Sequence, residues 1–141
     1  LEEQPIVLGL RVRHVMCTHH FNESPLPFPE HMQVLLRRNE VLDVHDYLQV
    51  LVDGEWIDVD CTWEHGLRDF GFPVTDDWDG RSSMMLTVTA EEHHEIDGDP
   101  SRMKDEMLAR LTPRQRALRK QFLNELAVWV KELSAEIARQ E

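Results

Sequence analysis

Apolar and β-branched residues dominate two runs of the sequence, at residues 43–52 and 55–63, and the two runs flank the pair Asp53-Gly54. Runs of this kind are typical of β-strands. An Asp-Gly pair between them favours a tight turn, because both residues tolerate the positive φ that such a turn requires. The pattern therefore predicts a β-hairpin, and the rest of the chain is organised around it.

The hairpin assigns side chains to two faces, since successive residues of a strand point to opposite sides of a sheet. Placing Asp53-Gly54 in the turn puts Val52 opposite Glu55, Tyr47 opposite Asp60 and His45 opposite Thr62. His45 and Asp60 then become diagonal neighbours, roughly 6 to 8 Å apart between backbone positions, which is close enough for imidazole and carboxylate to meet. The other face is apolar and is expected to turn toward a core; it carries Leu48, Val50, Val52, Ile57 and Val59.

Other segments also carry signals of regular structure. Alternation at residues 6–18 and again at residues 83–89 predicts two further strands. Pro29 and the pair Asp99-Pro100 stand at the starts of two predicted helices, because Asp can cap a helix and Pro suits its first turn. Residues 19–29 contain three prolines and residues 64–79 mix Gly, Pro and Asp, and we interpret both as irregular segments.

The C-terminal residues predict a long amphipathic helix. Thr112, Pro113 and Gln115 form a capping-box pattern at its start. Apolar residues then recur at steps of three and four, at Leu118, Phe122, Leu126, Trp129, Leu133 and Ile137. This stripe fits packing on the protein's own sheet, and such helices also form homodimer seams. We predict a single α+β domain over residues 1–141, with a sheet-rich core at 6–89 and C-terminal helices at 99–140.

Acidic residues outnumber basic ones, with 27 Asp and Glu against 15 Lys and Arg, for a formal net charge of -12. This charge opposes binding to nucleic acid or to an anionic membrane, so neither is an expected partner. A peptide or protein of neutral or basic character fits better. The sequence has no apolar run long enough to cross a bilayer, and residues 1–5 lack the features of a signal peptide, which predicts a cytoplasmic protein.

The metal-binding and redox patterns that can be read from a sequence are missing here. Cys17 and Cys61 are the two cysteines, and their spacing fits reduced thiols better than a disulfide framework. The eight histidines include no His-x-x-x-His pair, and the neighbours within His19-His20 and within His93-His94 would point apart in an extended chain. We therefore predict no metal site and no cofactor.

The order of three motifs resembles the transglutaminase-like superfamily of papain-type thiol enzymes. A strand resembling the family's first strand spans residues 8–15, His45 opens the next strand, and residues 53–63 supply a Gly-x-Trp hairpin that ends in Asp60-Cys61-Thr62-Trp63. The resemblance covers about residues 8–63. It implies a truncated transglutaminase-like core, in which His45 is the general base and Asp60 its orienting partner.

The family's nucleophile is a Cys on a helix that precedes the first strand, and residues 1–8 contain no Cys. Three explanations stay open: a fragment of a longer enzyme, a pseudoenzyme that keeps the fold, or another Cys in the role. Cys61 alternates onto the face opposite Asp60, which disfavours it. Cys17 has no helix dipole to lower its pKa, so it fits a small buried residue better than a nucleophile.

Two functions follow as hypotheses. The first is a domain that resembles a protease, amidase or acyl transferase and keeps the His-Asp pair. The resemblance implies a peptide or protein substrate, but without the nucleophilic Cys this chain is expected to be inactive. The second is a non-catalytic binding or assembly module that holds a partner on the sheet face around His45, Tyr47, Trp56 and Trp63, or through the C-terminal helix.

Overall fold

The computed structural model describes residues 6–7, 9–96 and 98–141. Its elements, in chain order, are β1 (Ile6–Val7), β2 (Leu10–His20), a 3-10 helix (Phe21–Glu23), α1 (Glu30–Arg38), β3 (Leu42–Val52), β4 (Glu55–Val59), a second 3-10 helix (His65–Phe70), β5 (Glu92–Glu95), α2 (Pro100–Ala109) and α3 (Pro113–Gln140). The sheet is antiparallel with the order β1-β2-β3-β4, and β5 also pairs with β2. The α+β class predicted from the sequence is confirmed.

The predicted hairpin is present as β3 and β4. Asp53 and Gly54 form its turn with φ of 49° and 83°, and Val52 pairs with Glu55 as expected. The ladder ends at the pair Leu48 and Val59, because β4 stops there. Asp60 therefore follows the strand, and the predicted pairing of Tyr47 with Asp60 lies beyond the ladder.

The prediction of one continuous strand over residues 6–18 is wrong. Gly9 adopts φ of 81° in a turn, and β1 folds back on β2 so that Val7 pairs with Leu10. Gly reverses the chain here because it has no Cβ to clash in the left-handed region. Beyond the turn, β2 is longer than predicted and continues to His20, at the start of the segment interpreted as a loop.

The prediction of a strand at residues 83–89 is also wrong. This segment crosses one face of the sheet as irregular chain, and Leu86 and Val88, with the following Ala90, pack against that face. The strand forms later, at β5, where the sequence Glu-His-His-Glu pairs with β2. Glu and His have modest strand propensity, so the pairing follows from the tertiary position rather than from the local sequence.

The three predicted helices are present, and α2 and α3 have the predicted caps. Helix α1 begins at Glu30, directly after Pro29, and has no side-chain cap. The Asp99 carboxylate accepts a hydrogen bond of 3.0 Å from the Ser101 N–H at the start of α2. At α3, the Gln115 N–H donates to Thr112 Oγ1 at 3.1 Å and the Thr112 N–H donates to Gln115 Oε1 at 2.8 Å. These reciprocal bonds satisfy two donors that a helix start otherwise leaves free.

The apolar stripe of α3 packs mainly on helices and connecting segments of its own chain rather than on a face of the sheet. Two residues of the stripe, Phe122 and Leu126, are buried. They belong to a core cluster that also contains Phe21, Leu26, Phe28, Met32, Val41, Leu67 and Phe72. The predicted apolar face of the hairpin forms a smaller, separate cluster with Val12. An ion pair of 2.6 Å between Arg119 Nε and Asp43 Oδ1 connects α3 to β3. In the part of the chain that the structure describes, no helix is long and apolar enough to cross a membrane.

Candidate active site

The structure brings His45 and Asp60 together. His45 lies on β3 directly opposite Cys17 of β2, and Asp60 is the first residue after β4. His45 Nε2 and Asp60 Oδ2 are 2.9 Å apart, with 16% of the imidazole side chain and 3% of the carboxylate side chain exposed. The hairpin turn sets the register of β3 and β4, and this register brings His45 and Asp60, fifteen positions apart in sequence, into a hydrogen-bonded pair.

Asp60 receives three hydrogen bonds. Besides His45, the Thr62 hydroxyl donates to Oδ1 at 2.6 Å and the Thr87 N–H donates to Oδ2 at 2.8 Å. Burial by itself raises the pKa of this carboxyl group, but the bonds from His45, Thr62 and Thr87 outweigh burial and lower the pKa to about 2. Asp60 is therefore a carboxylate at neutral pH.

The ionised state of Asp60 fixes the roles of the two imidazole nitrogens of His45. A carboxylate can only accept hydrogen bonds, so the nitrogen that faces it carries a proton. In the neutral imidazole, the proton on Nε2 leaves Nδ1 as the basic nitrogen. The pair therefore has the arrangement of a general base with an orienting carboxylate.

Cys17 does not have the properties of a nucleophile. It is 0% exposed and packs with Val15 and Tyr47 under the chain that crosses the sheet. Burial, followed by the negative charge of Asp60, raises the pKa of the Cys17 thiol to about 11. The thiol stays protonated at neutral pH, and only a thiolate attacks efficiently.

Cys61 is exposed, and its thiol contacts Met84 Sδ at 3.7 Å. It directly follows Asp60, as the sequence indicates, and no hydrogen bond among the described residues joins it to His45. Neither cysteine of the described chain is thus arranged as the third member of the His45 and Asp60 site.

Alkylation should separate the two thiols. In the folded protein at pH 8, we expect iodoacetamide to modify Cys61 and to modify Cys17 at least about tenfold more slowly, because Cys17 is buried and its thiolate fraction is small. Mass spectrometry of peptides over time measures both rates. In denaturant the two rates should converge, and equal rates in the folded state would contradict the placement of Cys17.

Tyr47 lies on the same face as His45 but is not open to solvent. It is 4% exposed, its ring stacks on His45 with centroids 6.2 Å apart, and its hydroxyl forms a 2.7 Å hydrogen bond with His93 Nδ1. Burial, with a smaller effect of the Asp58 charge, raises the pKa of Tyr47 to about 12. Tyr47 therefore supports the imidazole from one side rather than offering a free contact to a partner.

The two tryptophans predicted to share a binding face lie in different environments. Trp56 is half-buried beneath the guanidinium of Arg13, whose Cζ is 4.2 Å from the ring centroid. Trp63 packs edge-on against Phe72, with centroids 5.1 Å apart, at the margin of the main core. Thus Trp56 and Trp63 do not form one continuous aromatic surface with His45.

A second His and carboxylate pair lies deeper in the fold. His19 is 2% exposed, and its Nε2 is 3.6 Å from Asp43 Oδ2. Burial raises the pKa of Asp43, but the adjacent His19 imidazole, together with the hydrogen bond and charge of Arg119, lowers it overall. Because Arg119 holds this carboxylate and the imidazole is enclosed, the pair acts in packing β2 and β3 against α3.

The sequence did not indicate Thr87 as part of the site, nor His93 beside Tyr47. Thr87 comes from the segment that crosses the sheet and His93 from β5, and their sequence separation from Asp60 and Tyr47 leaves no local pattern to find them. In residues 6–7, 9–96 and 98–141, no group of three or more His, Cys, Asp and Glu side chains could hold a metal ion.

Comparisons with protein-family models, with curated proteins and with solved structures found no match for this chain.

Proposed function

We propose that the chain is a transglutaminase-like domain for thiol-dependent amide or acyl chemistry, as a protease, amidase or acyl transferase. His45 is its general base, and Asp60 orients the imidazole and stabilises its cation. The observation that carries the proposal is the 2.9 Å contact between His45 Nε2 and an ionised, nearly enclosed Asp60 carboxylate. This contact supports a base at Nδ1 with a fixed orientation.

The reaction assigned to this pair has an acylation half and a deacylation half, each with two proton transfers. His45 Nδ1 takes the proton of a thiol, and the thiolate attacks the carbonyl carbon of an amide or ester. The imidazolium, stabilised by Asp60, then gives its proton to the leaving amine or alcohol, and an acyl thioester remains. Water or an amine then attacks the thioester, and His45 accepts the proton of the attacking group and gives it to the leaving thiolate, which restores the thiol and the neutral imidazole.

Cys17 and Cys61 do not supply this thiol in the proposal, because one is buried with a raised pKa and the other is not joined to His45. The chain alone is therefore expected to be inactive toward peptides. An added small thiol can take the place of the absent nucleophile, and this makes the base function of His45 measurable.

The test is acyl transfer from an activated ester to N-acetylcysteamine. Wild-type protein should speed thioester formation above the rate with the same concentration of free imidazole, and His45→Ala should remove this acceleration. His65→Ala is the matched control, since His65 contacts Asp76 at 2.8 Å in an exposed His and carboxylate pair. Loss of rate in both variants, or in neither, would contradict the proposed base.

The alternative proposal is a non-catalytic binding or assembly module that keeps the fold. The observation that favours it is the covering of the site: Leu86, Val88 and Ala90 pack over the face that carries Cys17 and Tyr47. Under this alternative, the hydrogen bonds to Asp60 serve to hold the crossing segment on the sheet. Absence of any His45-dependent acyl transfer in the assay would favour this function.

A further inference from the structure

A cleft of about 320 Å³ lies between the start of α1 and the middle of α3, apart from the His45 and Asp60 pair. Pro29, Val128 and Trp129 give it apolar walls, and Glu125 and Glu132 supply two carboxylates. Val128 is 59% exposed, which leaves an apolar side chain uncovered beside the cleft. Toward the interior, the ring of Trp129 packs on aromatic residues of the main core.

The carboxylates of this cleft are unpaired within the described chain. Glu125 Oε2 is buried and has no hydrogen-bond partner among the described residues. The ion pairs formed by those residues include neither Glu125 nor Glu132. Residues seven apart lie on the same face of a helix, so both acids border the cleft with Val128 and Trp129 between them.

We infer that this cleft binds an arginine side chain presented by a basic partner protein. A guanidinium group donates hydrogen bonds to carboxylates such as those of Glu125 and Glu132, and its flat face can lie on an aromatic ring such as Trp129. The methylene groups of arginine would cover Val128. Lysine offers a single point charge without the planar fork, so arginine fits the mixed acidic and aromatic walls better.

The charge of the chain favours a basic partner over a second copy of itself. A formal net charge of -12 makes two copies repel each other at long range. The same charge attracts a basic segment and raises its rate of encounter with the protein.

The experiment is an NMR titration with a blocked pentapeptide, acetyl-Ala-Ala-Arg-Ala-Ala-amide, compared with matched peptides that carry Lys or citrulline in the central position. We expect the Val128 methyl and Trp129 indole signals to shift, and the arginine peptide to bind at least about fivefold more tightly than the citrulline peptide. Glu125→Gln should weaken arginine binding by a similar factor.

Glu136→Gln is the matched control, because it removes one negative charge from an exposed position of α3 outside the cleft. This variant should keep the arginine affinity within about twofold, since screening weakens the effect of a distant surface charge. Equal losses in the two variants would overturn the proposal by showing general charge attraction. Equal binding of arginine and citrulline, or concentration-dependent shifts without peptide that identify a second copy in the cleft, would also overturn it.

Discussion

Replacing Phe122 with Ala should lower the free energy of unfolding by about 3 to 5 kcal/mol. Phe122 is 0% exposed, and its ring lies 4.5 Å from the ring of Phe21 and 5.3 Å from that of Phe28, measured between centroids. The truncation removes buried apolar surface and leaves a cavity among residues from α1, α3 and the connecting segments. Urea denaturation followed by circular dichroism measures the change.

Val128→Ala is the control for this prediction, because Val128 lies on the same helix with 59% of its surface exposed. A substitution there should change the free energy of unfolding by about 0.5 kcal/mol or less. A loss from Phe122→Ala as small as that of the control would mean that α3 does not pack into the main core as described.

Replacing Asp60 with Asn should destabilise the protein by about 2 kcal/mol at pH 7 and should also alter how stability depends on pH. The folded pKa of Asp60 is lowered to about 2 from an ordinary value of 3.8. A carboxyl group with a lowered folded pKa stabilises the fold above its unfolded pKa. This contribution is lost as the pH falls from about 4 to about 2.

The difference in stability between wild type and Asp60→Asn should therefore be constant above about pH 5 and should shrink below about pH 4. Denaturant unfolding at a series of pH values measures it. Asp43 also has a lowered pKa, and its contribution is present in both proteins, so it cancels in the difference. A difference that stays constant down to pH 2 would contradict the hydrogen bonding assigned to Asp60.

Much of the fold near the hairpin could be predicted because its signals are local. Asp53-Gly54 sets the turn and the register, and from the register follows the meeting of His45 with Asp60. The capping box at Thr112 similarly sets the start of α3. In each case the residues that decide the structure are only a few positions apart, so the sequence pattern contains the whole interaction.

The parts that sequence patterns missed depend on distant contacts. Alternation at residues 83–89 resembles a strand, but the segment crosses the sheet, where the Thr87 N–H donates to Asp60. The edge strand β5 has little strand propensity of its own. The stripe of α3 was correctly identified, yet periodicity gives only the apolar face of a helix and does not say which layer it meets.

The central claim is that Asp60 holds His45 with Nε2 protonated and Nδ1 free to act as a base. The most direct measurement is a long-range ¹⁵N correlation NMR spectrum of the imidazole rings near pH 9, where histidines are generally neutral. We expect the His45 proton to reside on Nε2. A proton found on Nδ1 would contradict this arrangement, because Nε2 could then not donate to Asp60 and Nδ1 could not accept a proton.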